Sequence, residues 1–154
     1  MISPVVSRLL PIVALAVVTA ATTASAQSSG KAAAGKVSVM VSGLRSDQGS
    51  VRCGLYASAD TFGKPGREFR GVAAPIRGQH ATCVFSNIPA GTYAVAVFHA
   101  ERNETRMEYG MFGKPKQGYG FSRNPSSTFG APAFSAAAFE VRSGPEAMQV
   151  RLQY

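Results

Sequence analysis

A chain of 154 residues has room for one domain with a modest core and is too short for several. Its 16 lysines and arginines outnumber 8 aspartates and glutamates, for a formal charge of +8. Its 2 cysteines have neither the CxxC spacing nor the paired histidines of a zinc site. No internal repeat or low-complexity tract divides it.

Residues 1–26 read as a secretory signal: Arg8 is the only charge ahead of an apolar run from Leu9 to Ala21, and Ala24-Ser25-Ala26 supplies the small residues of a cleavage site before Gln27. The apolar run is shorter than the ~20 residues that cross a bilayer, which disfavours a retained anchor. Residues 27–35, rich in Ser, Ala and Gly without an apolar period, form an expected flexible leader, and residues 36–154 the expected single domain. A periplasmic or secreted location follows, with no membrane span in the mature chain. Export turns the basic balance away from nucleic acid, which a cytosolic protein of this charge would suggest. Anionic partners available outside the cytoplasm are an envelope glycan, lipid head groups or an acidic protein. Because the basic residues are scattered, solubility alone is the plainer explanation of the charge.

Lys36 to Gly43 alternates Val37, Val39 and Val41 with smaller or polar residues, the period of a half-buried strand. After the turn residues Asp47-Gln48-Gly49 the alternation resumes with Val51, Cys53 and Leu55, and the two runs are expected to pair as a hairpin. Gly63, Pro65 and Gly66 break the pattern in an excursion over the surface, and Pro75 confines Val72 to Ile76 to a sheet edge. Ala81 to Ile88 is a firmer strand, and Pro89-Ala90-Gly91 turns the chain into Thr92 to His99. That strand is apolar on both faces and so belongs in the middle of a sheet. Ala133 to Arg142 and Ala147 to Tyr154 are further strands, although Ser135 to Phe139 could instead make one helical turn. About seven short strands without a convincing helix predict an all-β domain, a single immunoglobulin-like or prealbumin-like β-sandwich. Two cysteines in an oxidising compartment are expected to pair, Cys53 with Cys83, closing a loop of about 30 residues worth ~3 kcal/mol; two buried thiols are the other reading.

Asn87-Ile88-Pro89-Ala90-Gly91-Thr92-Tyr93, the strand ending in Phe98-His99, and the run from Gly113 to Ser122, GKPKQGYGFS, occur in an order that resembles DUF2141, a family of bacterial exported proteins, from about Val37 onward. The resemblance implies a small periplasmic or secreted β-sandwich with no established reaction. Members of that family continue the strand as His-Asp into an acidic, Asn- and Gly-rich loop similar to a calcium loop. Here His99 is followed by Ala100, Arg102, Glu104, Thr105 and Glu108, so a carboxylate and the turn glycine are missing and a cation replaces an oxygen ligand.

The candidate site runs from Gly91 to Asn124. His99, Glu101, Glu104 and Glu108 could gather a divalent metal ion, while the plainer reading makes the acidic residues partners of Arg102 and Arg106 in local ion pairs. His99 on the valine face is expected to be buried, its ring nitrogens tying the glycine-rich loop to the strand, with ligand contact as the alternative. Ser122, His99 and Glu108 are the one conceivable triad, but no nucleophile elbow surrounds the serine, and an enzyme is not the favoured reading. In the loop from Gly110 to Phe129, glycines permit unusual backbone conformations, Phe112, Tyr119, Phe121 and Phe129 offer flat surfaces, and Lys114, Lys116 and Arg123 add charge. His99, Lys114, Lys116, Tyr119, Phe121 and Arg123 are therefore the ligand-binding candidates. The alternative folds the aromatics inward as a plug. The reading favoured is a non-catalytic binding or envelope-accessory module needing no cofactor, with a metal-binding protein as the alternative.

Overall fold

The structure, a computed structural model, describes residues 34–127 and 130–154. The expected signal, leader residues 27–33 and Phe129 lie outside the described residues. Among the described residues eight strands form: β1 (Gly35–Ser42), β2 (Ser50–Tyr56), β3 (Arg70–Pro75), β4 (Ala81–Ile88), β5 (Gly91–Ala100), β6 (Tyr119–Phe121), β7 (Phe139–Val141) and β8 (Pro145–Arg151). They build a three-stranded sheet in the order β4-β1-β8 and a five-stranded sheet in the order β3-β2-β5-β6, with β7 also on β5. Two packed sheets with one short helix, α1 (Phe134–Ala137), are the expected all-β sandwich.

The alternation read from sequence becomes the core. Val37, Val39 and Val41 of β1, with Cys83 and Phe85 of β4, face Val51 and Leu55 of β2 and Val95 and Val97 of β5, all essentially without solvent contact. β5 lies between β2 on one side and β6 and β7 on the other, as its two apolar faces require. β3 occupies the sheet edge expected from Pro75. Cys53 and Cys83 are bonded, with Cα atoms 6.4 Å apart, and the bond joins β2 of one sheet to β4 of the other through the middle of the core. At the turn into β5 the Tyr93 hydroxyl donates to the Pro89 carbonyl at 3.1 Å, fixing the corner where the chain changes sheets.

Two expectations are corrected. β1 and β2 do not form a hairpin: β1 pairs with β4 and runs parallel to β8, while β2 pairs with β3 and β5. The connection between them is too long for a tight two-residue turn, and it buries Leu44 in the core on its way from one sheet to the other. The second concerns the late strands, where Ala133 to Arg142 divides into the helical turn α1 and the short β7, and the extra strand β6 arises inside the glycine-rich loop. Past β8, Gln153 exchanges two backbone hydrogen bonds of 2.9 Å with Tyr119, which stitches β6 to the other sheet at one edge.

Candidate functional site

The inner face of the five-stranded sheet is core; its outer face carries the site. Strand pairing sets the outward side chains in rows across the sheet. Gly71, Gly54, Ala96 and Phe121 make one row, in which the first three carry little or no side chain and the Tyr56 ring lies against Gly54, within 2.9 Å of where a Cβ would stand. The next row holds Ala73, Arg52, Phe98 and Tyr119. A trough floored by small residues and bordered by an arginine and aromatics results.

Loops raise walls around this floor. At one end Phe62 packs edge-on against Tyr56 and against Phe134 of α1, with ring centroids 5.6 and 5.7 Å away, and tilts against Phe121 at 5.7 Å. On the opposite side residues 101–118 fold over as a second wall. There the Glu108 carbonyl receives the Lys116 N–H at 2.9 Å, and the Lys114 carbonyl receives the Gly110 N–H at 2.8 Å. Tyr109, Phe112 and Lys114 of this wall face the floor across a groove of about 880 Å³, a volume suited to a compact organic ligand.

The charges in the groove are Arg52, Glu68 and Lys114. Among the described residues Arg52 has no ion pair, and its Nε is buried without a hydrogen-bond partner. Burial, helped by the negative charge of Glu68, pushes the Tyr56 hydroxyl up to about 12, so this groove residue stays a neutral donor throughout the physiological range.

A family model described as "Uncharacterized protein conserved in bacteria (DUF2141)" matches residues 39–149, which takes in all but the ends of the sandwich. The chain belongs to the DUF2141 family. No curated protein and no solved structure matches it.

In this DUF2141 chain the sequence candidates separate. Lys114, Tyr119 and Phe121 line the groove, whereas His99, Lys116 and Arg123 do not. Arg123 donates to the Ala138 carbonyl at 3.1 Å, and Lys116 is exposed away from the floor. His99 is wholly buried, as expected, but its ring does not bond to the glycine-rich loop. Its Nε2 lies 2.8 Å from the Gln48 carbonyl and its Nδ1 2.7 Å from the Tyr154 hydroxyl. A carbonyl only accepts, so Nε2 carries the proton and Nδ1 accepts from Tyr154. The loop is tied to the strand instead through the His99 backbone N–H, which donates to the Gly118 carbonyl at 2.8 Å.

The four residues considered for a metal fall into two pairs: His99 Nδ1 lies 3.7 Å from Glu101, and Glu104 and Glu108 share Arg102. Glu101 takes both arms of Arg45, which holds its carboxyl below the ordinary value of 4.5, and Arg102 bonds Glu104 and Glu108 at 3.0 Å each. Among the described residues no three His, Cys, Asp or Glu side chains gather as a metal centre would need. Ser122 is also accounted for: its hydroxyl donates to the Ala137 carbonyl at 2.5 Å and accepts the Val95 N–H at 2.9 Å, pinning the loop after β6 to α1 and β5.

Arg52 and Gly54 lie outside the stretch from Gly91 to Asn124 that the sequence points to, while Phe98 and Tyr109 lie within it without being among the named candidates. The available signal was the unexpected composition of β2: Arg52 and Gly54 occupy its outward positions, where an ordinary solvated strand face would carry larger polar residues.

Proposed function

We propose that this DUF2141 domain is a non-catalytic binding module, acting in the periplasm or outside the cell, that holds a small organic anion in the groove over its five-stranded sheet. The observation that carries this reading is Arg52. An arginine whose Nε is shut away from water with no partner sacrifices a strong hydrogen bond, and the loss is made good when a carboxylate, sulfonate or phosphate arrives. Around it the small residues Gly71 and Ala96, with the Tyr56 ring lying against Gly54 between them, leave room for a flat apolar body, with Phe98 and Tyr119 beside it and Tyr109 and Phe112 on the opposite wall. Lys114 adds a second positive charge, and the neutral Tyr56 hydroxyl offers a further donor.

The test uses two probes of one shape, naphthoate and naphthamide, titrated against the protein by calorimetry. Naphthoate is expected to bind about tenfold or more tightly than the amide, because a charge-assisted bond to Arg52 is worth ~1.5–3 kcal/mol. Arg52→Gln should erase that ratio while leaving the melting temperature within a few degrees. Equal affinity for both probes in the unaltered protein, or a ratio that survives Arg52→Gln, refutes the assignment.

A further inference from the structure

The wall that faces the groove ends in a tip that faces water. Tyr109 and Pro115 pair as a bridge, and the Gly110 N–H to Lys114 carbonyl bond closes a narrow hairpin around the single helical turn Met111–Gly113. Met111 is 81% exposed and Phe112 94%, far beyond the other exposed large apolar side chains, the next being Tyr109 of the same hairpin at 55%. Phe112 also adopts φ 61°, in the left-handed region that disfavours any residue with a Cβ. The fold thus holds a strained backbone at a point where the side chain gains no packing within the chain. Arg106, Lys114 and Lys116 lie close to the tip along the chain without ion pairs among the described residues, while the carboxylates of the same loop, Glu104 and Glu108, are both held by Arg102.

We infer that this hairpin docks the protein on an anionic lipid surface. Two adjacent apolar side chains at a rigid apex match the depth of the boundary between head groups and acyl chains, and the free cations close to the apex along the chain match negatively charged head groups. A soluble anionic polymer would satisfy the cations but gives Met111 and Phe112 nothing to enter. Docked in this way, the hairpin brings the groove mouth, which shares Phe112 and Lys114 with the tip, toward the membrane surface.

Flotation with lipid vesicles tests this, using protein that lacks residues 1–26 so that the N-terminal apolar run cannot itself bind lipid; every strand is retained. Binding is expected to phosphatidylcholine vesicles containing phosphatidylglycerol and to weaken as salt is raised. Met111→Ser and Phe112→Ser should each lower the affinity about tenfold, since each removes a buried apolar side chain, and Lys116→Gln should lower it less. Met111 and Lys116 lie outside the groove, so those variants should keep naphthoate binding, and the two proposals can fail separately. Absence of vesicle binding, or binding indifferent to Met111→Ser and Phe112→Ser, overturns the inference. Capture on immobilised alginate that depends on Lys114 and Lys116 but not on the apolar pair also overturns it, and assigns the charges to a glycan.

Discussion

His99 and Tyr154 show how much a single buried polar contact decides. With Nε2 on the Gln48 carbonyl, the imidazole holds the connection from β1 to β2, and with Nδ1 it holds Tyr154, over whose ring the Arg45 guanidinium lies at 4.6 Å. Replacing the wholly buried ring by an apolar side chain of similar size removes both of its hydrogen bonds, so His99→Leu is expected to cost ~1–3 kcal/mol in urea unfolding. Tyr154→Phe, which removes only a hydroxyl near solvent, should cost less. The Arg45–Glu101 pair adds a pH-dependent share. Glu101 has a folded-state pKa below its ordinary 4.5, so its contribution is fully present above that value and disappears as pH falls through the folded value. Solvent screens the pair, with Arg45 half exposed, and Glu101→Gln should cost under ~1 kcal/mol at neutral pH, the difference closing in acid. That His99 would be buried could be read from its place on the valine face of β5. Its partners could not, because Gln48 and Tyr154 are far from it in sequence and meet it only through the crossing between sheets.

Among the elements, β6 and the disulfide carry most of the architecture that positions the groove. Gly118 and Gly120 look in the sequence like residues chosen for an unusual backbone, yet neither has a positive φ; of the four glycines expected to play that part, only Gly113 does. Gly118, just before β6, and Gly120 within it are small because something presses on them. A Cβ on Gly118 would enter the ring of Tyr154, and one on Gly120 would come within 2.8 Å of the Arg151 carbonyl and the Val150 side chain. Gly118→Ala is therefore expected to destabilise by ~1–3 kcal/mol through overpacking, measurable as a lower melting temperature. The Cys53–Cys83 bond, legible from cysteine count and compartment, closes a loop of 30 residues. Its removal in Cys53→Ala/Cys83→Ala should cost ~3 kcal/mol, with the same shift on reducing the unaltered protein. Strand positions were readable because period-two alternation is local. Pairing was not: the choice of β8 rather than β2 as the neighbour of β1 depends on contacts across the whole chain.

For the molecule as a whole, one face of one sheet has been left uncovered and walled in rather than solvated. The inner rows pack as any sandwich must, while the outer rows of the five-stranded sheet present small residues, aromatics and an arginine whose Nε has no partner among the described residues. Periodicity tells the inner face of β2, with Val51, Cys53 and Leu55, from the outer, but only the neighbours that pairing brings to Arg52 and Gly54 reveal a floor. The aromatics of the glycine-rich loop divide between the two uses foreseen for them: Phe121 folds inward against Phe62, and Phe112 projects. Among the described residues no helix is long and apolar enough to cross a membrane, so lipid contact through Met111 and Phe112 would be superficial. The most direct measurement of the central claim is a map of backbone amide shifts by nuclear magnetic resonance while naphthoate is added. Recognition on the outer face predicts the largest changes at Arg52, Gly54, Gly71 and Ala96; changes confined to residues near Lys116 and Arg123, with the β2 and β5 amides still, would contradict it.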